Sequence, residues 1–143
     1  MQMQMKLLAT VAGLALAHAA ATAFAHHAFS AEFDAASPVE LRGTVTKTEW
    51  INPHSWITID VMRDDGTVET WEIEAGAPNS MFRRGFTRDS LPIGTEILVT
   101  GYRARDGGQR ANGRNLTLPD GTLLFMGSSG IGAPQDGADP TEP

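Results

Sequence analysis

The chain contains no cysteine and only one tyrosine, Tyr102. Without cysteine there is no disulfide, no thiolate metal ligand, no cysteine nucleophile and no site for a lipid anchor. Long apolar runs are also missing. The one hydrophobic stretch, Leu7 to Ala17, falls well short of the roughly 20 residues that a bilayer span needs. Positive charge is scarce, with 11 Lys and Arg against 17 Asp and Glu and a formal net charge of -6. A nucleic-acid partner calls for a basic stripe, and an anionic membrane surface repels a chain of this sign. We therefore expect no nucleic-acid partner and no membrane insertion of the mature form. There is no serine elbow, phosphate loop, HExxH or CxxC. The sequence points to binding rather than to a reaction.

What is present begins with an export signal. Lys6 supplies a short positive region, Leu7 to Ala17 the apolar one, and small residues follow. Two small-x-small cleavage sites overlap, Ala21-Thr22-Ala23 and Ala23-Phe24-Ala25. Residues 1–25 read as a cleaved secretory signal, so the protein is expected to be periplasmic or secreted. At 143 residues, one small domain remains.

That domain reads as strands. Residues 26–38 lack periodicity and form a lead-in, closed by Ser37-Pro38, where proline pushes its predecessor to extended backbone. From Val39 a period of two sets in: Val39, Leu41 and Val45 alternate with polar residues, and Gly43 marks a bend or bulge. A second run, Ser55 to Val61, and a third, Thr67 to Ala75, flank the hairpin turn Asp64-Asp65-Gly66. Alternation puts Trp71, Ile73 and Ala75 inward and Thr70, Glu72 and Glu74 outward, which leaves the two glutamates on an exposed face. Pro78 opens a short helix through Arg84, with Gly85 as its cap. Further strands run around Ile97 and Val99, then from Ala111 to Leu118 and Thr122 to Phe125. The order predicts an all-β domain over 39–126 with one short helix, a small OB-like Greek-key barrel of five to six strands. A small β-sandwich is the alternative. Residues 127–143, rich in Gly, Ser, Pro, Asp and Ala, read as a disordered tail.

Histidine placement carries the functional reading. Once the signal is removed, His26, His27 and His54 are the histidines of the mature chain. Cleavage after Ala25 leaves an α-amine and an imidazole on His26, which chelate together; cleavage after Ala23 leaves histidine third, a square-planar nitrogen set. Either arrangement suits Cu(II). The plainer alternatives are a chance His pair at a terminus and, for His54 in Trp50-Ile51-Asn52-Pro53-His54, a ring that ties down the corner. A three-histidine site requires the lead-in to fold back over the domain. Phe29 and Phe33 could anchor it, each worth about 1.5–3 kcal/mol if buried. Around the corner, Trp50, Asn52 and Trp56 offer a ligand surface, with Arg83 and Arg84 of the helix beside them. Rim packing is the plainer role of the tryptophans, and solvation that of the arginines.

The motifs His26-His27-Ala28-Phe29, Gly43-Thr44-Val45, Trp50-x-Asn52-Pro53-His54, Pro78-Asn79-Ser80-Met81-Phe82-Arg83-Arg84-Gly85 and Asp89-Ser90-Leu91 resemble a group of exported bacterial proteins classed as a domain of unknown function. The resemblance implies an exported barrel-like domain and treats the histidines and the Asn-Pro-His corner as one group. Three functions are weighed. The first is a copper-handling protein using His26, His27 and His54. The second is a non-metal module whose barrel face docks a protein or small ligand. The third is a copper oxidase, which a domain of this size gives little surface to support.

Overall fold

The computed structural model describes residues 29–127. The expected signal over residues 1–25, His26, His27 and the residues from 128 onward lie outside the described residues. A single turn of helix, α1 (Phe29–Glu32), leads into the long strand β1 (Phe33–Glu49), followed by β2 (Ser55–Met62) and β3 (Val68–Ala75). The helix α2 (Pro78–Arg83) then precedes β4 (Glu96–Ala104), β5 (Arg110–Thr117) and β6 (Leu123–Phe125). The strands lie in the order β3-β2-β1-β4-β5-β6, and a parallel pairing of β3 with β5 closes five of them into a ring. The all-β, barrel-like expectation holds. Six strands in one sheet, five of them in a ring, replace the two separate sheets of a sandwich.

β1 holds the ring together because it serves two neighbours. Its first part pairs with β4 and its last part with β2, and Thr44 faces Glu96 on one side and Asp60 on the other. Gly43 is needed here: a Cβ at this position would lie 2.7 Å from the Asp60 carbonyl oxygen. The register shifts between Val45 and Lys47, a bulge that bends the strand as the ring turns.

The strand starts six residues earlier than its alternation suggests. Asp34 accepts hydrogen bonds from Ala36 N and Ser37 Oγ, both at 3.0 Å, and the β1–β4 register jumps between Phe33 and Pro38. That local bulge erases the period-two signal, so residues 29–38 are part of the folded domain rather than a lead-in outside it.

The interior is filled by the predicted positions. Val45, Ile59, Ile73, Val99 and Leu116 are fully buried, with Trp71 among them. The α2 helix closes one end. Gly85 N–H donates to Phe82 O and Phe86 N–H to Met81 O, with Gly85 at φ 97°, the pattern of a Schellman cap. Met81 and Phe86, the cap's apolar pair, both join the core. Outside the ring, Phe29, Phe33, Tyr102 and Ala104 form a second buried cluster. Phe29 and Phe33, the expected anchors, are thus both buried. Among the described residues, no helix is long and apolar enough to cross a membrane.

Candidate functional site

Paired residues on neighbouring strands point to the same side of a sheet. Trp56 of β2 faces Glu74 of β3, Glu74 faces Asn112 of β5, and Asn112 faces Tyr102 of β4. These four side chains make a row across the outer face of the ring. Phe29 covers the Tyr102 end, edge-on at 5.6 Å between ring centroids, and stacks tilted on Phe33 at 5.8 Å. Arg105 fastens α1 to the sheet: its backbone N–H donates to Glu32 O and its Nε to Ser30 O.

Glu74 is buried, only 7% exposed, where alternation alone puts it in water. This corrects the expectation of an exposed carboxylate. The alternation correctly assigns its face, but β5 pairs alongside β3 and sets Asn112 against the carboxyl, so this outer-face position is shielded from water. Glu72, two residues away, stays exposed.

The His54 corner arrives at the same place. His54 stands one residue before β2, after a cis Asn52–Pro53 peptide. Its Nδ1 lies 3.7 Å from Glu74 Oε1, which also accepts a hydrogen bond from Asn112 Nδ2 at 3.2 Å. A separation of 3.7 Å is too long for a hydrogen bond. Nδ1 is buried and has no hydrogen-bond partner among the described residues, and the same holds for Asn112 Oδ1 and for Ser55 Oγ beside the corner. Buried polar atoms usually find a partner, and three without one are grouped at this corner.

Burial pushes the Glu74 carboxyl up from its ordinary range. The His54 charge opposes the rise, the Glu32 carboxylate adds to it, and the Asn112 hydrogen bond and Arg110 oppose it again. A carboxyl that is costly to ionise when alone gains from any cation placed against it.

The remaining predicted residues fall into two groups. Trp50 packs on Phe82 at 5.4 Å and Phe86 at 6.2 Å, so it holds α2 to the ring. Arg84 Nη1 donates to Gly127 O at 2.7 Å, and its guanidinium lies over Phe125. Both are committed to internal packing. Arg83 is exposed and reaches Ser80 Oγ, Asn52 is exposed at the corner, and half-buried Trp56 adjoins Glu74. The structure thus gathers His54, Trp56 and Glu74, with Asn112, and leaves Arg83 apart. Sequence reading missed Glu74 and Asn112, since neither breaks the strand pattern. Among the described residues, no group of three His, Asp or Glu is placed to hold a metal ion. His26 and His27 lie just before the first described residue.

A family model, described as a family of unknown function, DUF6152, matches residues 12–114. The chain belongs to this family. The DUF6152 match takes in both N-terminal histidines, the Asn-Pro-His corner, Glu74 and Asn112, and ends within β5. No curated protein and no solved structure matches the chain.

Proposed function

We propose that this protein is an exported metal-binding protein that handles copper through His26, His27 and His54. The observation that carries the reading is the buried Nδ1 of His54, without a hydrogen bond and 3.7 Å from Glu74 Oε1. In the neutral imidazole such a nitrogen is a donor for a metal ion, and in the protonated ring it pairs with the carboxylate instead. Two further observations support it. Phe29, two residues after His27 in the chain, is pinned against Tyr102. Arg105 fastens that same turn to the end of β4, through Glu32 O and Ser30 O.

Imidazoles suit copper, zinc, iron and nickel, and among divalent ions such a site binds copper most tightly. An α-amine at the processed terminus would add a further nitrogen. Binding and delivery, rather than turnover, is the role that this small ring supports. The competing docking module loses ground because Trp50 and Arg84 are occupied internally.

The test is copper uptake by the exported, untagged protein and its His54→Ala variant. The wild type is expected to bind one copper ion, with affinity reduced at least tenfold in the variant. Equal binding by both would remove His54 from the site, and no binding by either would end the reading.

A further inference from the structure

We propose that Glu74 is itself a metal ligand, oriented by Asn112, and that this oxygen donor makes the site take divalent copper in preference to monovalent. The inference rests on the metal-binding reading above and adds to it the ligand that no histidine pattern reveals.

The geometry comes first. Two donors on one first-row divalent ion, each about 2.0–2.2 Å from it, lie about 3–4 Å apart. His54 Nδ1 and Glu74 Oε1 stand 3.7 Å apart, too far for a hydrogen bond and well placed to share an ion. A metal-bound carboxylate is usually itself hydrogen-bonded. Asn112, 1% exposed and fixed in register opposite Glu74 on β5, donates Nδ2 to the same Oε1 that faces His54.

The energetics agree. A glutamate buried on the outer face, with Glu32 repelling it, is an unfavourable feature in a ring this small. A bound divalent cation converts it into a favourable one. The Arg110 guanidinium, which offsets the rise, is paired with Asp106 at 3.1 Å.

The selectivity follows from donor softness. Monovalent copper prefers thiolate and thioether sulfur. The chain has no cysteine, Met81 and Met126 are fully buried in the core, and the exposed Met62 sits at the far end of β2 from His54. A donor set of imidazole nitrogen and carboxylate oxygen matches divalent copper, which accepts mixed N and O ligands in a near-planar arrangement.

The experiment compares wild type, Glu74→Gln and His54→Ala as exported protein. Divalent copper is followed by competition titration and electron paramagnetic resonance, monovalent copper by anaerobic competition with a chromogenic chelator. Glu74→Gln should lose at least tenfold in Cu(II) affinity and change the Cu(II) spectrum, while its weaker Cu(I) binding stays at the wild-type level. On the wild type itself, Cu(II) should broaden the side-chain amide signals of Asn112 beyond detection, a readout that needs no variant to fold. A Glu74→Gln protein with wild-type Cu(II) affinity and spectrum, or Asn112 signals untouched by bound Cu(II), would overturn the inference and leave the histidine site standing. Cu(I) bound more tightly than Cu(II) would overturn the selectivity. Wild type that binds neither form would overturn both.

Discussion

Glu72 and Glu74 share a strand, a charge and a face, yet only Glu74 is buried. The difference comes from a neighbour that the sequence does not announce, Asn112 from β5. Its consequence is measurable without any metal. The folded Glu74 carboxyl holds its proton more tightly than the unfolded one, because burial raises its pKa. Stability should therefore fall as pH rises from the ordinary glutamate value, about 4.3, through the raised folded value. Glu74→Gln removes that slope. In the presence of a chelator, the variant should be more stable than wild type at neutral pH and equal to it below about pH 4. Denaturant unfolding across pH reports this directly, with exposed Glu72→Gln as the control. Two curves that stay parallel would mean that the carboxylate is not disfavoured. At this scale the sequence was half legible. His54 stood out because its Asn-Pro-His corner interrupts two alternating runs, whereas Glu74 and Asn112 obey the alternation and leave no mark.

Among the elements, the segment from Phe29 to Pro38 departs most from its sequence pattern. Periodicity placed the first strand at Val39, but Asp34 turns locally onto Ala36 and Ser37, and the strand on either side of that bulge still pairs with β4. The hairpins were easier to read because each carries its own chemistry. Gly66 at φ 83° and Gly121 at φ 85° sit where turns demand a left-handed residue, and Gly85 at φ 97° ends α2 for the same reason. In the proposed function, α1 is the anchor of the segment that carries His26 and His27, held by Phe29 on Tyr102. Phe29→Ala should cost about 3 kcal/mol, the lower part of the range for a buried phenylalanine, since its cluster lies outside the main core. It should also weaken copper binding, although it removes no donor atom. Denaturant unfolding together with copper titration checks both effects. A folded variant with full copper affinity would show that the position of this segment is irrelevant to the site.

For the whole molecule, strand content and order followed from pattern, while ring closure did not. Nothing in Glu72–Glu74 or Arg110–Asn112 states that these segments lie parallel, yet that pairing closes the ring and creates the Glu74–Asn112 contact. The site is thus a product of topology. One strand brings the carboxyl, another the amide bonded to it, and a proline corner the imidazole, with the docked N-terminal turn at the Tyr102 end of the same row. The family match spans all four of these parts. Membership in DUF6152 leaves the activity to be fixed by measurement.

The most direct measurement is the intact native mass of the protein purified, untagged, after export. The account predicts a chain beginning at His26 or Phe24 that carries one copper ion and releases it in acid. A chain that begins upstream of Phe24, or a metal-free protein that also refuses added Cu(II), would contradict it.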